Sequence, residues 1–398
     1  MKWFFTVVFF ILSTTCTKKQ QTSNSHISFT PEDEKDTSIW NTSQSDFYKQ
    51  KLSKGINLSN WFNNYSDKGQ FGNRFTSINF QQIKNLGFTH VRLPIAWEIL
   101  FQENRPSELN PLNISFVDDA LKNLTNAGLA VIIDPLHGGD EKVELQMATN
   151  DNYVSKIALY WKAIVKRYRY LYKPDQLFFE VMNEPHINTN NLFSEVWWPK
   201  VQQSIIDSIR AVDQHHYIIA GGGVWNSIYG LKKLTPYNNI KIIYNFHFYD
   251  NMVFTHQGAT WAGDLFTKLS GVPYPSSPSA VDSLVKITND PIVKNALIMY
   301  GNENWNQQKM DSIMKDISNW ALSNHIDYLT CNEFGSYKPK APLQSRLNWI
   351  HDVHSSLKKY KIGWTMWEYD EGFGLITYPS GNRNIPVIDS ALVVSLGL

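Results

Sequence analysis

Two glutamates in this sequence each stand at the end of an apolar run. Glu184 falls at the end of Leu177-Phe178-Phe179-Glu180-Val181-Met182-Asn183-Glu184-Pro185, and Glu333 follows Tyr328-Leu329-Thr330-Cys331-Asn332. The first run reads as a buried strand, and Pro185, with no N–H and a fixed φ, stops the ladder and starts a loop. A carboxylate is thereby delivered to the carboxyl end of a buried strand, where it would be costly without a purpose. Two such carboxylates facing one another suit acetal hydrolysis. One, protonated, donates to the leaving oxygen, and the other, ionised, attacks the anomeric carbon. A gap of roughly 5–5.5 Å means double displacement with retention, and a wider one means inversion. The sequence leaves both open.

Further polar and aromatic groups stand at other strand ends. They occur in Val91-Arg92-Leu93-Pro94, Leu136-His137-Gly138-Gly139, Asn245-Phe246-His247-Phe248-Tyr249 and Trp364-Thr365-Met366-Trp367. Arg92 beside a carboxylate would keep it ionised. Asn183 could hydrogen-bond a sugar 2-hydroxyl. Tyr249, which shares a face with His247 by period two, can donate to the nucleophile. His137 and His247 can hold hydroxyls or the acid, and Trp367 can floor the ring at the cleavage point. Taken singly, an arginine is usually an ion-pair partner and a histidine in an apolar run a satisfied core residue. Their convergence on six strand ends is what argues for a site. For Asn183 and Glu184 both to reach it, strict alternation must break, so a bulge or twist is expected there.

The elements that would position these groups alternate. Candidate strands are Gly55–Leu58, His90–Leu93, Ala130–Leu136, Leu177–Met182, Tyr217–Ala220, Ile240–Phe248, Tyr328–Asn332 and Gly363–Trp367. Helical spacing fills Asn79–Asn85, Ile114–Ala127, Val154–Tyr172, Trp198–Val212, Met310–Ser323 and Leu343–Tyr360. Gly87 and Gly128 suit the left-handed position that ends a helix. Eight strands alternating with helices predict a parallel sheet closed into a single (β/α)8 TIM barrel. A long insertion, about Asn251 to Asn295, separates strands six and seven.

Among 398 residues the formal net charge is only +1, which gives no electrostatic case for nucleic acid. The chain carries 14 Trp and 19 Tyr, enough to line a sugar cleft after the core is filled. Its two cysteines, Cys16 and Cys331, exclude a disulfide framework; Cys331 reads as a core thiol. Trp3 to Leu12 is apolar apart from Thr6, the length of a signal-peptide core and too short to span a bilayer. Ser13, Thr14 and Thr15 then precede Cys16, which resembles a loose bacterial lipoprotein cleavage box; an ordinary secretory signal is the alternative. The expected division is a signal segment over 1–16 with Cys16 lipidated, a polar tether over 17–50, and a catalytic barrel over 51–398. The protein is accordingly expected to be exported, held at the outer membrane or cell surface or secreted, touching a membrane only through that lipid.

The stretches Gly55-Ile56-Asn57-Leu58, Val91-Arg92-Leu93-Pro94, Leu136-His137-Gly138, Asn183-Glu184-Pro185, His247-Phe248-Tyr249, Asn332-Glu333-Phe334-Gly335 and Trp364-Thr365-Met366-Trp367 together resemble glycoside hydrolase family 5, which includes cellulases and β-mannanases. The resemblance runs from Lys51 to the C-terminus. It implies Glu184 as acid/base, Glu333 as nucleophile, and Arg92, His137, Asn183, His247, Tyr249 and Trp367 as the rest of a shared pocket. The family's commonest activity implies endo-acting hydrolysis of β-1,4-glucan. Mannan, β-1,3-glucan and mixed-linkage glucan stay open, as does a non-catalytic surface glycan-binding protein. Trp225, after strand five, and Trp261, in the insertion, are candidate sugar platforms. A monomer without cofactor or metal is expected. Strand one offers Asn57 rather than a His-x-His pair.

Overall fold

The structure, a computed structural model, describes residues 46–64, 69, 71–137, 141–189, 191–239 and 241–398. The signal segment, Cys16 and nearly all of the expected tether lie outside the described residues. Eight parallel strands close into a barrel in sequence order: β1 Gly55–Asn57, β2 His90–Ala96, β3 Ala130–His137, β4 Leu177–Glu180, β5 Ile218–Gly221, β6 Ile242–Phe248, β7 Leu329–Phe334 and β8 Gly363–Met366. β1 closes the ring, pairing Gly55 with His90 on one side and with Thr365 on the other. Almost every strand position is buried, because helices cover the outside and side chains fill the inside.

The helices show why this sequence wraps the barrel. In Ile114–Asn126 the buried residues are Ile114, Val117, Ala120, Leu121 and Leu124, a single stripe at helical spacing. Asp151–Tyr168 starts where the Asn150 side chain accepts from the N–H groups of Asn152 and Tyr153. Gly87 and Gly128 take φ of 94° and 80° at helix ends, as their positions predicted. None of the described helices is long and apolar enough to cross a membrane.

Several expectations shift or gain detail. The tether boundary at Gln50 moves, because Phe47–Lys51 is a helix with Tyr48 buried. Tyr48 joins Leu52, Ala130, Ile132, Phe178, Ile219, Ile243 and Tyr328 in a small core cluster of its own and stacks on Tyr217 at 4.1 Å. β2 continues through Pro94 to Ala96, with its pairing to β3 shifting register there. β4 stops at Glu180, two residues early, because the chain must turn for Glu184. The insertion is largely helical: Met252–Thr255, Asp264–Lys268, Pro278–Ile287 and Pro291–Asn302. Ser277 and Asp290 cap the last two with a proline next in chain, a start signal legible in the sequence.

Candidate active site

The register shifts of the barrel gather where the strands end. One falls between Phe246 and His247 and another between Cys331 and Phe334. Such irregularities re-aim side chains beside active sites, and here they turn His247 and Glu333 into the mouth. After β4 the break is sharper: Glu184 has φ of 43°, which supplies the expected loss of alternation and lets Asn183 and Glu184 both reach the site.

Arg92 is the centre of the cluster and is fully buried. Its Nε and one Nη donate to the two oxygens of Glu180, each at 2.9 Å. The same Nη reaches Asp134 at 3.0 Å and the Asn183 side-chain oxygen at 2.8 Å. The other Nη donates to Glu333 Oε1 at 2.6 Å and to Asn57 at 3.1 Å. Burial opposes the charge on Arg92, but Glu180, Asp134 and Glu333 outweigh it and hold the guanidinium charged. Tyr249 donates to the second oxygen of Glu333 at 2.9 Å. Both oxygens of Glu333 are therefore fixed in place.

Glu184 sits across from it in different surroundings. Its Oε1 is 2.7 Å from His247 Nδ1. Burial pushes its carboxyl up to about 7, against the lowering influence of His137, Arg92 and His186. His247 is itself lowered by burial. At Nδ1 a neutral imidazole can thus accept a hydrogen bond donated by the protonated Glu184 carboxyl, leaving the ring's own hydrogen on Nε2, a buried atom with no hydrogen-bond partner among the described residues. Oxygens of Glu184 and Glu333 and a ring nitrogen of His247 all lie within 4.8 Å of one another.

The ring-holding groups flank this pair. His137 Nδ1 lies 2.9 Å from Asp134, and its ring is parallel to Trp367 within 6° at 6.0 Å. The Trp367 backbone N–H donates to the Phe334 carbonyl at 2.9 Å. Gly335 passes so close that a Cβ there would sit 2.4 Å from the Trp367 carbonyl. Of the ten site residues the sequence suggested, Arg92, His137, Asn183, Glu184, His247, Tyr249, Glu333 and Trp367 form this one cluster. Trp225 and Trp261 stand outside it, 52% and 60% exposed. Trp225 stacks on His186 at 3.6 Å. Trp261 meets Tyr337 edge-on at 4.7 Å, and Phe373 links Tyr337 to Tyr249 with centroids at 5.4 and 6.1 Å.

Sequence reasoning missed Glu180, Asp134 and Asn332. Glu180 takes a third bond, from Asn332 at 2.7 Å, and both acids are fully buried. The available signal was a charged residue inside an otherwise apolar strand, which must have a buried partner. Cys331 is a buried free thiol, as expected.

Barrel and carboxylate pair together put the protein among the (β/α)8 glycoside hydrolases. Comparison with known proteins narrows the class: the family model "Cellulase (glycosyl hydrolase family 5)" matches residues 41–372, and the chain belongs to that family. It is 29% identical to Endoglucanase 3 of Fibrobacter succinogenes over 361 residues, covering 86% of this chain but only 53% of that protein. Endoglucanase C of Acetivibrio thermocellus is 28% identical over 322 residues, 79% of this chain and 90% of that one. The solved endoglucanase Cel5A of Thermotoga maritima superposes with a TM-score of 0.71 at 28% identity, covering 88% of this chain and 98% of Cel5A. Structures of that protein include complexes with cellobiose and with mannotriose.

Proposed function

We propose that the protein is a retaining endo-β-1,4-glucanase in which Glu333 is the nucleophile and Glu184 the acid/base. The observation that carries this is the approach of the two carboxyl groups, one oxygen of each lying within 4.8 Å of the other. Retaining enzymes hold the pair roughly 5–5.5 Å apart, whereas inverting ones need about 6.5–9.5 Å to admit a water between carboxylate and sugar. The approach seen here falls on the retaining side of that division.

Glu333, oriented by Arg92 and Tyr249, attacks the anomeric carbon. Glu184, protonated at or below about pH 7, gives its proton to the departing glycosidic oxygen. A glycosyl ester on Glu333 results. Glu184, now a carboxylate, takes a proton from water as the water attacks the same carbon from the face the leaving group vacated. The two inversions sum to retention. Asn183, held by Arg92, is placed to donate its amide hydrogens to the 2-hydroxyl, a contact that strengthens as charge develops. Trp367 and His137 bracket the ring, while Trp225 and Trp261 offer apolar faces to the chain on either side. The relatives' activity as endoglucanases supports β-1,4-glucan as the substrate.

The anomer released first from a cellooligosaccharide, read by proton NMR within seconds of mixing, tests the mechanism. β-Anomer is expected, and α-anomer first would overturn the assignment. Relative rates on carboxymethylcellulose, glucomannan, barley β-glucan and laminarin test the substrate; a preference for any but β-1,4-glucan would replace it. The N-terminal segment supports a further proposal, that Cys16 is lipidated and the enzyme works as a monomer on an anchored tether. Loss of palmitate incorporation and release of the enzyme by Cys16→Ala would bear this out. An unchanged distribution would refute it.

A further inference from the structure

The loop carrying Glu184 is braced from outside the catalytic cluster. Glu184 adopts a left-handed backbone, which an L residue keeps only when its surroundings over-determine it. Pro185 follows and brings no N–H. The next two backbone N–H groups, of His186 and Ile187, both donate to Glu144 Oε2 at 2.8 Å. The other oxygen of Glu144 lies 2.8 Å from His186 Nδ1. That same nitrogen is 3.0 Å from the Glu184 carbonyl oxygen. Glu144 is 1% exposed and belongs to the helix Glu141–Thr149 that follows β3, so it reaches across from the neighbouring loop. A buried carboxylate needs partners that justify its burial, and here all of them fall within three residues of Glu184. Trp225 closes the other side, with its backbone N–H donating to the Pro185 carbonyl at 3.2 Å and its ring flat on His186.

We propose that Glu144 and His186 are positioning residues for proton transfer: the carboxylate–imidazole bracket fixes the Glu184 backbone so that its carboxyl meets the leaving oxygen. Burial works against a charge on His186, but the bond and charge of Glu144 more than offset it and raise the imidazole above its usual value. The bracket touches neither Arg92 nor Glu333, so nucleophilic attack should be largely spared when it is loosened. This inference rests on the reading of Glu184 as acid/base.

Leaving-group dependence separates a positioning role from a structural one. A 2,4-dinitrophenolate departs without a proton, whereas a sugar alkoxide does not. For Glu144→Gln, kcat/KM on cellotetraose should fall roughly 10–100-fold, the scale of a misplaced catalytic group. On 2,4-dinitrophenyl β-cellobioside, kcat/KM should fall by no more than about threefold, since general acid catalysis there has little left to supply. Release of the glycosyl enzyme still needs the base, so kcat on that substrate should drop and be restored by azide, a nucleophile with no proton to lose, with β-cellobiosyl azide as product. Equal losses on both substrates, no loss on either, or no azide effect would overturn the proposal. Should Glu144→Gln fail to fold, His186→Ala leaves both backbone bonds to Glu144 in place and is judged on the same ratio. Glu184→Ala is the control: if it lacks the split and the azide rescue, the assignment of Glu184 fails rather than the bracket.

Discussion

Replacing Arg92 by Met keeps a side chain of similar reach but removes the charge and all five N–H donors. Three buried carboxylates, Glu180, Asp134 and Glu333, lose their shared cation. Glu180 keeps only the Asn332 bond on one oxygen. Removing one partner of a buried ion pair costs about 3–5 kcal/mol, most of it from the charge left behind. With an unfolding entropy near 2.1 cal/mol/K per residue over roughly 350 folded residues, that lowers Tm by about 4–7 °C. The pH dependence distinguishes this from ordinary loss of packing. Burial already holds Glu180 above the usual carboxylate value even with Arg92 beside it. A folded-state value above the unfolded one means that the native state binds the proton more tightly. Stability is then greatest at acid pH and falls as pH rises through the folded value. Without Arg92 that value climbs further, so the variant should lose the full 4–7 °C at pH 8 and roughly half or less at pH 5. Calorimetric scans of both proteins at the two pH values measure it. Equal losses at pH 5 and pH 8, or none at all, would refute the view that Arg92 exists to hold these acids.

Three further outcomes follow from the same site. The alkaline limb of kcat/KM should lie near pH 7, because Glu184 must carry its proton and is pushed up to about 7; a rate profile flat to pH 9 contradicts this. Tyr249→Phe removes the 2.9 Å bond to Glu333 and, at about 1.5–3 kcal/mol for a bond to a charged group, should lower kcat/KM about 10–100-fold and Tm by no more than about 2–4 °C. Gly335→Ala drives a methyl against the Trp367 carbonyl, which should cost about 1–3 kcal/mol, raise KM, and shift the tryptophan emission; kinetics indistinguishable from the parent would show that Trp367 does not depend on this contact.

Much of the site was legible because strand ends advertise themselves. Asn183-Glu184-Pro185 joins a carboxylate to a residue that must stop a strand, and His247-Phe248-Tyr249 carries its own period of two. Glu180 and Asp134 were passed over because their meaning lies in Arg92, two strands from Glu180 and some ninety residues away in sequence. The left-handed backbone at Glu184 was foreseen only as a break in alternation, since nothing local in Glu favours that conformation. Trp225 reads as a platform from its sequence alone, and its added contact with His186 depends on how the loops after β4 and β5 settle together. The stretch from Phe47 to Gln50 reads as tether because a helix of five residues is too short to show a period, and only the strand ends near Tyr217 and Tyr328 give Tyr48 a place to be buried.

That small helix has a mechanical consequence. Tyr48 contacts residues just before β5 and β7, bonds to Asp327, and the Tyr328 hydroxyl clasps the Lys49 carbonyl at 3.1 Å. These contacts all lie at the amino ends of the strands, the pole opposite Glu184 and Glu333. A pull arriving through the chain ahead of Asp46 is therefore resisted by a tyrosine clasp before it loads β1. Tension from that side would load the base of the barrel, the pole away from its two glutamates.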